Sequence, residues 1–376
     1  MDTNEVPPFS APPPLNPPPV IFPPSPPPPR RRGRGWMIFA LVLLVFLVVS
    51  LLGNFGQFIS GIIPVASVRT RVAGPKLDEV ILEDNDAASK IAVIDVDGII
   101  SSSAGDQSGF NMVEVIKAQL DRAKDDARVK AVVMRVDSPG GEVLASDEIY
   151  RAVSDFQADS AKPVITSMGN LAASGGYYIS VASQWIEADQ LTITGSIGVI
   201  LHTWNYRNLM NKVGLQPEVY KSGKYKDMLS GERSTNEIPP EEHAMVQALI
   251  DQTYHRFQDV VQQGREQAHK KNKDEGKALA SDWKSYADGR VLSGRQALDL
   301  GFVDEVGTFE DAVKKARQLA GIQHANLIQY QQRYDLSDVF RLFGKSQAPV
   351  IKVDLGMEAP KLEAGRLYFI CPTFLH

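Results

Sequence analysis

VKAVVMRVDSPGGE, Val129 to Glu142, sets a run of β-branched and small apolar residues directly against a glycine-rich turn. The run is too short and too β-branched for a buried helix, and reads as a buried strand over Val129–Ser138. Two neighbours repeat the pattern: KIAVIDVDG (Lys90–Gly98) before it and KPVITSMG (Lys162–Gly169) after it. Between them lie helical stretches, Met112–Ala123 and DEIYRAVSDFQ (Asp147–Gln157). Apolar strands alternating with amphipathic helices imply an α/β fold whose mostly parallel sheet is covered by helices on both faces.

In such sheets chemistry collects at loops beyond the carboxyl ends of the strands. Two loops there stand out, DSPGGE (Asp137–Glu142) and MGNLAASGG (Met168–Gly176). Each leads a glycine-rich turn into a helix, where unpaired N–H groups gather partial positive charge suited to an oxyanion. Ser174, between two alanines and two glycines, is a candidate nucleophile. Read alone, it is equally a small residue that lets a helix pack close to a strand. Downstream, TGSIGV (Thr194–Val199) is a further glycine-flanked strand start, followed by charged helix from about Pro239 to Lys273 and shorter helices near Arg295 and Ala312.

A hydroxyl attacks only when a neighbouring base takes its proton. None of the six histidines, His202, His243, His255, His269, His324 and His376, lies in a glycine-rich strand-end turn. That counts against a Ser-His-Asp triad, and the GxSxG elbow is absent too. Lysine is the alternative base. Its ordinary pKa near 10.4 must fall by about three units, on the order of 4 kcal/mol, to leave a free amine at neutral pH. Desolvation is the available lever. VYKSGKYKDML (Val219–Leu229) offers Lys221, Lys224 and Lys226, and physical reasoning alone does not rank them.

The ordered blocks RVDSPGG, GNLAASGGYYIS, TGSIGV and KSGKYKD resemble the SppA-type signal peptide peptidases, the bacterial protease IV family, over roughly Ile91–Leu319. The resemblance implies a crotonase-like (Clp-protease-like) fold and a Ser-Lys dyad cleaving peptides within or beside the membrane. By position, Ser174 is then the nucleophile and Lys226 the general base. Gly141 and Gly175 lend their N–H groups to the oxyanion, and Ser196 orients the lysine. Both dyad residues lie in one copy of the domain, as in the short form of the family, which implies a ring-like homo-oligomer with sites near subunit contacts. Asp137 and Asp227 read as caps, and Tyr177 and Tyr178 as core or interface aromatics.

The N-terminal region differs in kind from the rest. Fourteen of the 24 prolines fall between Pro7 and Pro29, so residues 1–35 read as a disordered or extended tail. WMIFALVLLVFLVVSLL, Trp36–Leu52, carries no charge, and with the next residues reaches the roughly 20 that cross a hydrocarbon core. RRRGRG just before it marks the cytoplasmic flank. The expectation is an uncleaved single-pass anchor over 36–55 in the inner (plasma) membrane, in contact with lipid. Its N-terminus is cytoplasmic and its catalytic domain extracytoplasmic. A linker at 56–88, a peptidase domain at 89–325 and a C-terminal segment at 326–376 follow. The end, LEAGRLYFICPTFLH, is apolar enough to be a docking strand, a membrane-proximal patch or a segment touching an active site.

Net charge is −5, and since Arg30, Arg31, Arg32 and Arg34 outweigh Asp2 and Glu5 in the tail by two, the remainder carries −7; nothing favours nucleic acid. The single cysteine, Cys371, excludes an internal disulfide framework. No metal-ligand spacing is present and no cofactor is expected. The expected substrates are hydrophobic peptides such as cleaved signal peptides. Rival readings are a regulatory membrane protease trimming particular membrane proteins, a crotonase-type lyase acting on a coenzyme A thioester, and a non-enzymatic membrane scaffold.

Overall fold

The three apolar runs form the centre of the sheet: β2 (Lys90–Asp97), β3 (Val129–Ser138) and β5 (Val164–Ala173). They pair in parallel, Ala92 opposite Val132 and Val132 in turn opposite Val164. The period of two is visible in the packing. Ala92, Ile94, Val96, Val132, Met134 and Val136 join one core, while Ile91, Ala131, Val133 and Ile165 join another on the opposite face. The chain is seen here in a computed structural model, which describes residues 39–47, 50, 74–102, 110–273, 275–333 and 366–371.

The larger core is closed by α1 (Met112–Asp125), through Ile116 and Leu120, and by α2 (Val143–Ser160), through Ile149, Val153 and Phe156. The smaller is closed by α7 (Phe309–Leu319), through Ala312 and Ala316. Local chemistry starts these helices where they start. Asn111 and Glu114 form a capping box at α1, and Thr308 and Asp311 another at α7.

Around the centre the strand order is β1-β11-β2-β3-β5-β6-β10, with β1 (Leu77–Glu83), β6 (Trp185–Ala188), β10 (Glu305–Val306) and β11 (Asn326–Gln332). Only β1 runs antiparallel along that path, against β11. The sheet thus begins and ends beyond the expected 89–325. Residues 77–83, expected as linker, and 326–332, expected as C-terminal segment, are strands of the main sheet. LDEVILE read as linker because an edge strand keeps charge on its exposed face.

β5 changes partner along its length. Ile165–Met168 pair with β6, and Leu171–Ala173 pair with β7 (Ile193–Gly195), which also pairs antiparallel with β9 (Val291–Ser293). A second sheet of three short strands, β4 (Gly140–Glu142), β12 (Leu367–Ile370) and β8 (Ile200–Leu201), lies at the carboxyl end of β3.

Of the expected membrane span, residues 39–47 and 50 are helical, and the remainder lies outside the described residues. Among the described residues no helix is long and apolar enough to cross a membrane. The proline-rich tail also lies outside them.

Candidate active site

Ser174 stands where β5 ends and the short helix α3 (Gly175–Ser180) begins. Its backbone, φ 54° and ψ −115°, has the geometry of the first central residue of a type II′ turn, a place glycine dominates. Two hydrogen bonds hold it there. Its N–H donates to the Gly195 carbonyl (2.8 Å), and its own carbonyl accepts from Tyr178 N–H (2.8 Å). The side chain is 1% exposed, and its Oγ has no hydrogen-bond partner among the described residues. A strained, buried and uncommitted hydroxyl at a strand-to-helix corner is unusual for a purely structural serine, because the fold gains nothing from it.

The glycines around it are explained by close approach. A Cβ on Gly176 would stand 2.7 Å from the Ser138 carbonyl oxygen, and one on Gly175 would stand 2.6 Å from Ser146 Oγ and 3.0 Å from Gly141 N. One on Gly141 would meet the Ile100 carbonyl oxygen at 1.9 Å. The glycine turn after β3 therefore presses against the start of α3, which puts Gly141 close to Gly175, the residue after Ser174. Asp137 fixes the neighbouring loop, accepting from Leu171 N–H (3.1 Å) and Asn170 Nδ2 (3.4 Å).

Ser196 follows the last residue of β7. Gly195 lies opposite Ala173, so the two serines end adjacent parallel strands. Ser196 is buried, with φ 50°, and its N–H donates to the Arg290 carbonyl (2.8 Å). Behind Ser174 both tyrosines are fully buried. Tyr177 donates to the Phe302 carbonyl (3.0 Å) and Tyr178 to Asp147 Oδ1 (2.7 Å). Burial pushes both phenols up. Burial also opposes ionisation of Asp147, but hydrogen bonds from Tyr178 and Arg151 hold its carboxyl below the usual range.

The three candidate lysines separate by their partners. Lys221 Nζ is held by both Asp227 carboxylate oxygens (2.7 Å each), and Asp227 also faces Arg233 (3.5 Å). Lys224 Nζ sits 4.8 Å from the Tyr225 ring centroid. Lys226 is exposed and makes no side-chain hydrogen bond or ion pair among the described residues. Within one chain the structure brings Ser174, Gly141, Gly175 and Ser196 together, and no hydrogen bond joins Lys226 to Ser174. The lysine-bearing stretch also exposes Tyr220 (87%), and Trp204 upstream of it is exposed as well (79%).

The sequence model for peptidase family S49 matches residues 157–323, which include Ser174, Ser196 and Lys226. A protein named as a protease in Synechocystis sp. is 42% identical over 233 residues, 62% of this chain and 75% of the relative. The chain belongs to peptidase family S49. A relative named as a signal peptide peptidase SppA in Enterococcus faecium is 35% identical over 260 residues, 68% of this chain and 71% of the relative. Protease 4 of Haemophilus influenzae is 36% identical over 248 residues, which is 38% of its length. Among solved structures, a mutant of the 1510-N membrane-bound stomatin-specific protease in complex with a substrate peptide covers 68% of this chain and 98% of its own, at 16% identity and a TM-score of 0.38. This S49 chain is a serine peptidase with an α/β fold and a mostly parallel sheet. Within its apolar C-terminal stretch, whose role sequence left open among three possibilities, Leu367–Ile370 form the strand β12 against the Gly140–Gly141 turn.

Proposed function

We propose that the chain is a membrane-anchored endopeptidase that uses a dyad of Ser174 and Lys226 to degrade cleaved signal peptides and other hydrophobic peptides at the membrane. The observation that carries the reading is the strained Ser174 with its buried, unpartnered Oγ beside the N–H groups of Gly141 and Gly175. Lys226, as the free amine, takes the Ser174 proton and the hydroxyl attacks a peptide carbonyl. The two glycine N–H groups hold the resulting oxyanion, an interaction whose loss typically costs about a hundredfold to a thousandfold in rate. Lys226 returns the proton to the leaving amine and then activates the water that releases the acyl group. Ser196 holds the amine in line.

Lys226 is supported over its neighbours because Lys221 and Lys224 are already engaged. Its exposure fits a ring-like homo-oligomer in which the apolar stretch around Trp204 and Tyr220 docks on another copy, completing each site at a subunit contact. The apolar span at 36–55, with arginines before it, supports a single-pass anchor in the inner membrane with the catalytic domain extracytoplasmic. The test is hydrolysis of a lipophilic peptide ester by Ser174→Ala and Lys226→Ala. Both are expected to lose turnover, and hydrolysis retained by either one defeats the dyad.

A further inference from the structure

Two helices start at the site, α2 directly after the strand Gly140–Glu142 and α3 directly after Ser174. The first turn of each is bonded back to the residue it follows. Ser146 Oγ donates to the Glu142 carbonyl (2.9 Å), and Tyr178 N–H donates to the Ser174 carbonyl (2.8 Å). The next residue of α2, Asp147, accepts the Tyr178 hydroxyl at Oδ1 (2.7 Å). One side-chain hydrogen bond therefore joins the segment behind the nucleophile to the segment behind the glycine turn.

The surroundings of that bond give it a role that packing alone does not fill. The Tyr178 ring lies edge-on to Tyr150 (5.5 Å) and Phe257 (4.9 Å) and stacks on Phe369 (4.9 Å). Apolar contacts of this kind are non-directional, so they keep the ring in the core without setting how deep it sits. A hydroxyl donated to a carboxylate is short and directional, and it does set the depth. The Asp147 side chain is 14% exposed, and two cations hold its carboxylate. Arg151 Nε donates to Oδ2 (2.8 Å), and Arg256 Nη2, from the long helix α5 (Pro240–Lys271), donates to Oδ1 (3.3 Å). A phenylalanine at position 178 would fill the same ring cluster. Burying a hydroxyl and most of a carboxylate there instead costs desolvation, which a brace made only for stability does not require.

We propose that Asp147 is a positioning residue of the peptidase, which through the Tyr178 hydroxyl fixes α3, and with it Ser174, against the Gly140–Gly141 turn. The inference rests on the nucleophile and oxyanion roles proposed above. A misplacement of about 1 Å between reacting groups can cost about a hundredfold in rate. With the rings still packed, loss of the tie permits part of that shift, and the expected loss is about tenfold.

The test is steady-state hydrolysis of a lipophilic peptide ester by the full chain, with urea titration of every variant to establish that it is folded under assay conditions. Tyr178→Phe and Asp147→Ala are each expected to lower kcat about tenfold. Neither alters a group assigned to hold the substrate, so KM should stay within about twofold of the parent. The double variant should be no worse than either single one, since both break the same bond. Asp147→Asn keeps an oxygen that accepts from Tyr178 and is expected to retain kcat within about threefold. Val153→Ala, which opens a cavity on the buried side of the same helix, should lower stability and leave kcat unchanged. Tyr178→Phe with the kcat of the parent overturns the inference by itself, even where Asp147→Ala does not fold. Additive losses in the double variant, or a kcat that falls in Val153→Ala as it does in Tyr178→Phe, overturn it too. Hydrolysis that survives Ser174→Ala defeats the nucleophile and this inference with it, whereas hydrolysis that requires Ser174 but ignores both substitutions defeats the inference alone.

Discussion

At most buried positions alanine is more stabilising than glycine; at position 174 the order should reverse. With φ 54° and ψ −115°, Ser174 lies outside the regions open to a residue with a Cβ, and that strain costs about 3 kcal/mol, the upper end of the usual range. Glycine adopts this geometry freely. Against that relief stand about 0.8 kcal/mol for glycine's greater freedom in the unfolded chain and about 0.8 kcal/mol for the buried methylene it lacks. Ser174→Gly should therefore be more stable than Ser174→Ala by about 1 to 2 kcal/mol, a rise in Tm of about 3 °C for a domain of this size. Both variants lack the Ser174 hydroxyl, so any contribution it makes cancels from the comparison. Urea titration of the two, with equal m-values, gives the difference directly. A glycine variant less stable than the alanine variant by about 1.5 kcal/mol, the sum of the two opposing terms, would show that the corner is unstrained.

Lys226→Ala should abolish hydrolysis of a lipophilic peptide ester, while Lys221→Ala and Lys224→Ala should stay within about threefold of the parent, since partial loss of a surface ion pair or cation–π contact changes little. A single-turnover assay separates the three. Burial, with Glu305 and Asp311 nearby, raises the Glu187 carboxyl from 4.5 to about 7. A folded-state pKa above the unfolded value contributes stability that is full below pH 4.5 and lost as pH rises through 7. Glu187→Gln should flatten that decline and exceed the parent by about 2 kcal/mol at pH 8, read by urea titration across pH. Arg265 and Asp304 form a fully buried ion pair (2.6 and 2.8 Å), so Arg265→Met alone should cost about 3–5 kcal/mol, whereas Arg265→Met with Asp304→Leu should recover much of it in the same titration.

How much of this could be read in advance follows from which forces act on each segment. β2, β3 and β5 were legible because both faces are buried, which writes continuous β-branched runs into the chain. β1 and β11 were not. LDEVILE carries Asp78, Glu79 and Glu83 on an edge, and NLIQYQQ mixes glutamines into a strand that only its neighbours define. The crowding of small residues around Ser174 was visible, and its cause now has distances attached. The lysines were indistinguishable by spacing because all three lie within six residues, and only their partners, Asp227 and the Tyr225 ring, set them apart. β12 escaped because pairing with a glycine turn more than two hundred residues away leaves no local periodicity.

The strain at Ser174 persists only if something holds α3 in place, and the residues that do so follow the serine directly. Gly175 and Gly176 admit the helix against Ser146 and Ser138, and Tyr177 and Tyr178 then drive it into the core, one ring edge-on to Phe302 at 5.6 Å and the other to Phe257 at 4.9 Å. Two buried aromatic side chains supply several times the stabilisation that one strained residue removes. Tyr178 also stacks on Phe369 of β12, so the ring that anchors the helix after Ser174 is held from that side as well. Tyr178→Leu removes both ring contacts at once, and it should loosen α3 and lower stability in a urea titration together with the hydrolysis of a lipophilic peptide ester.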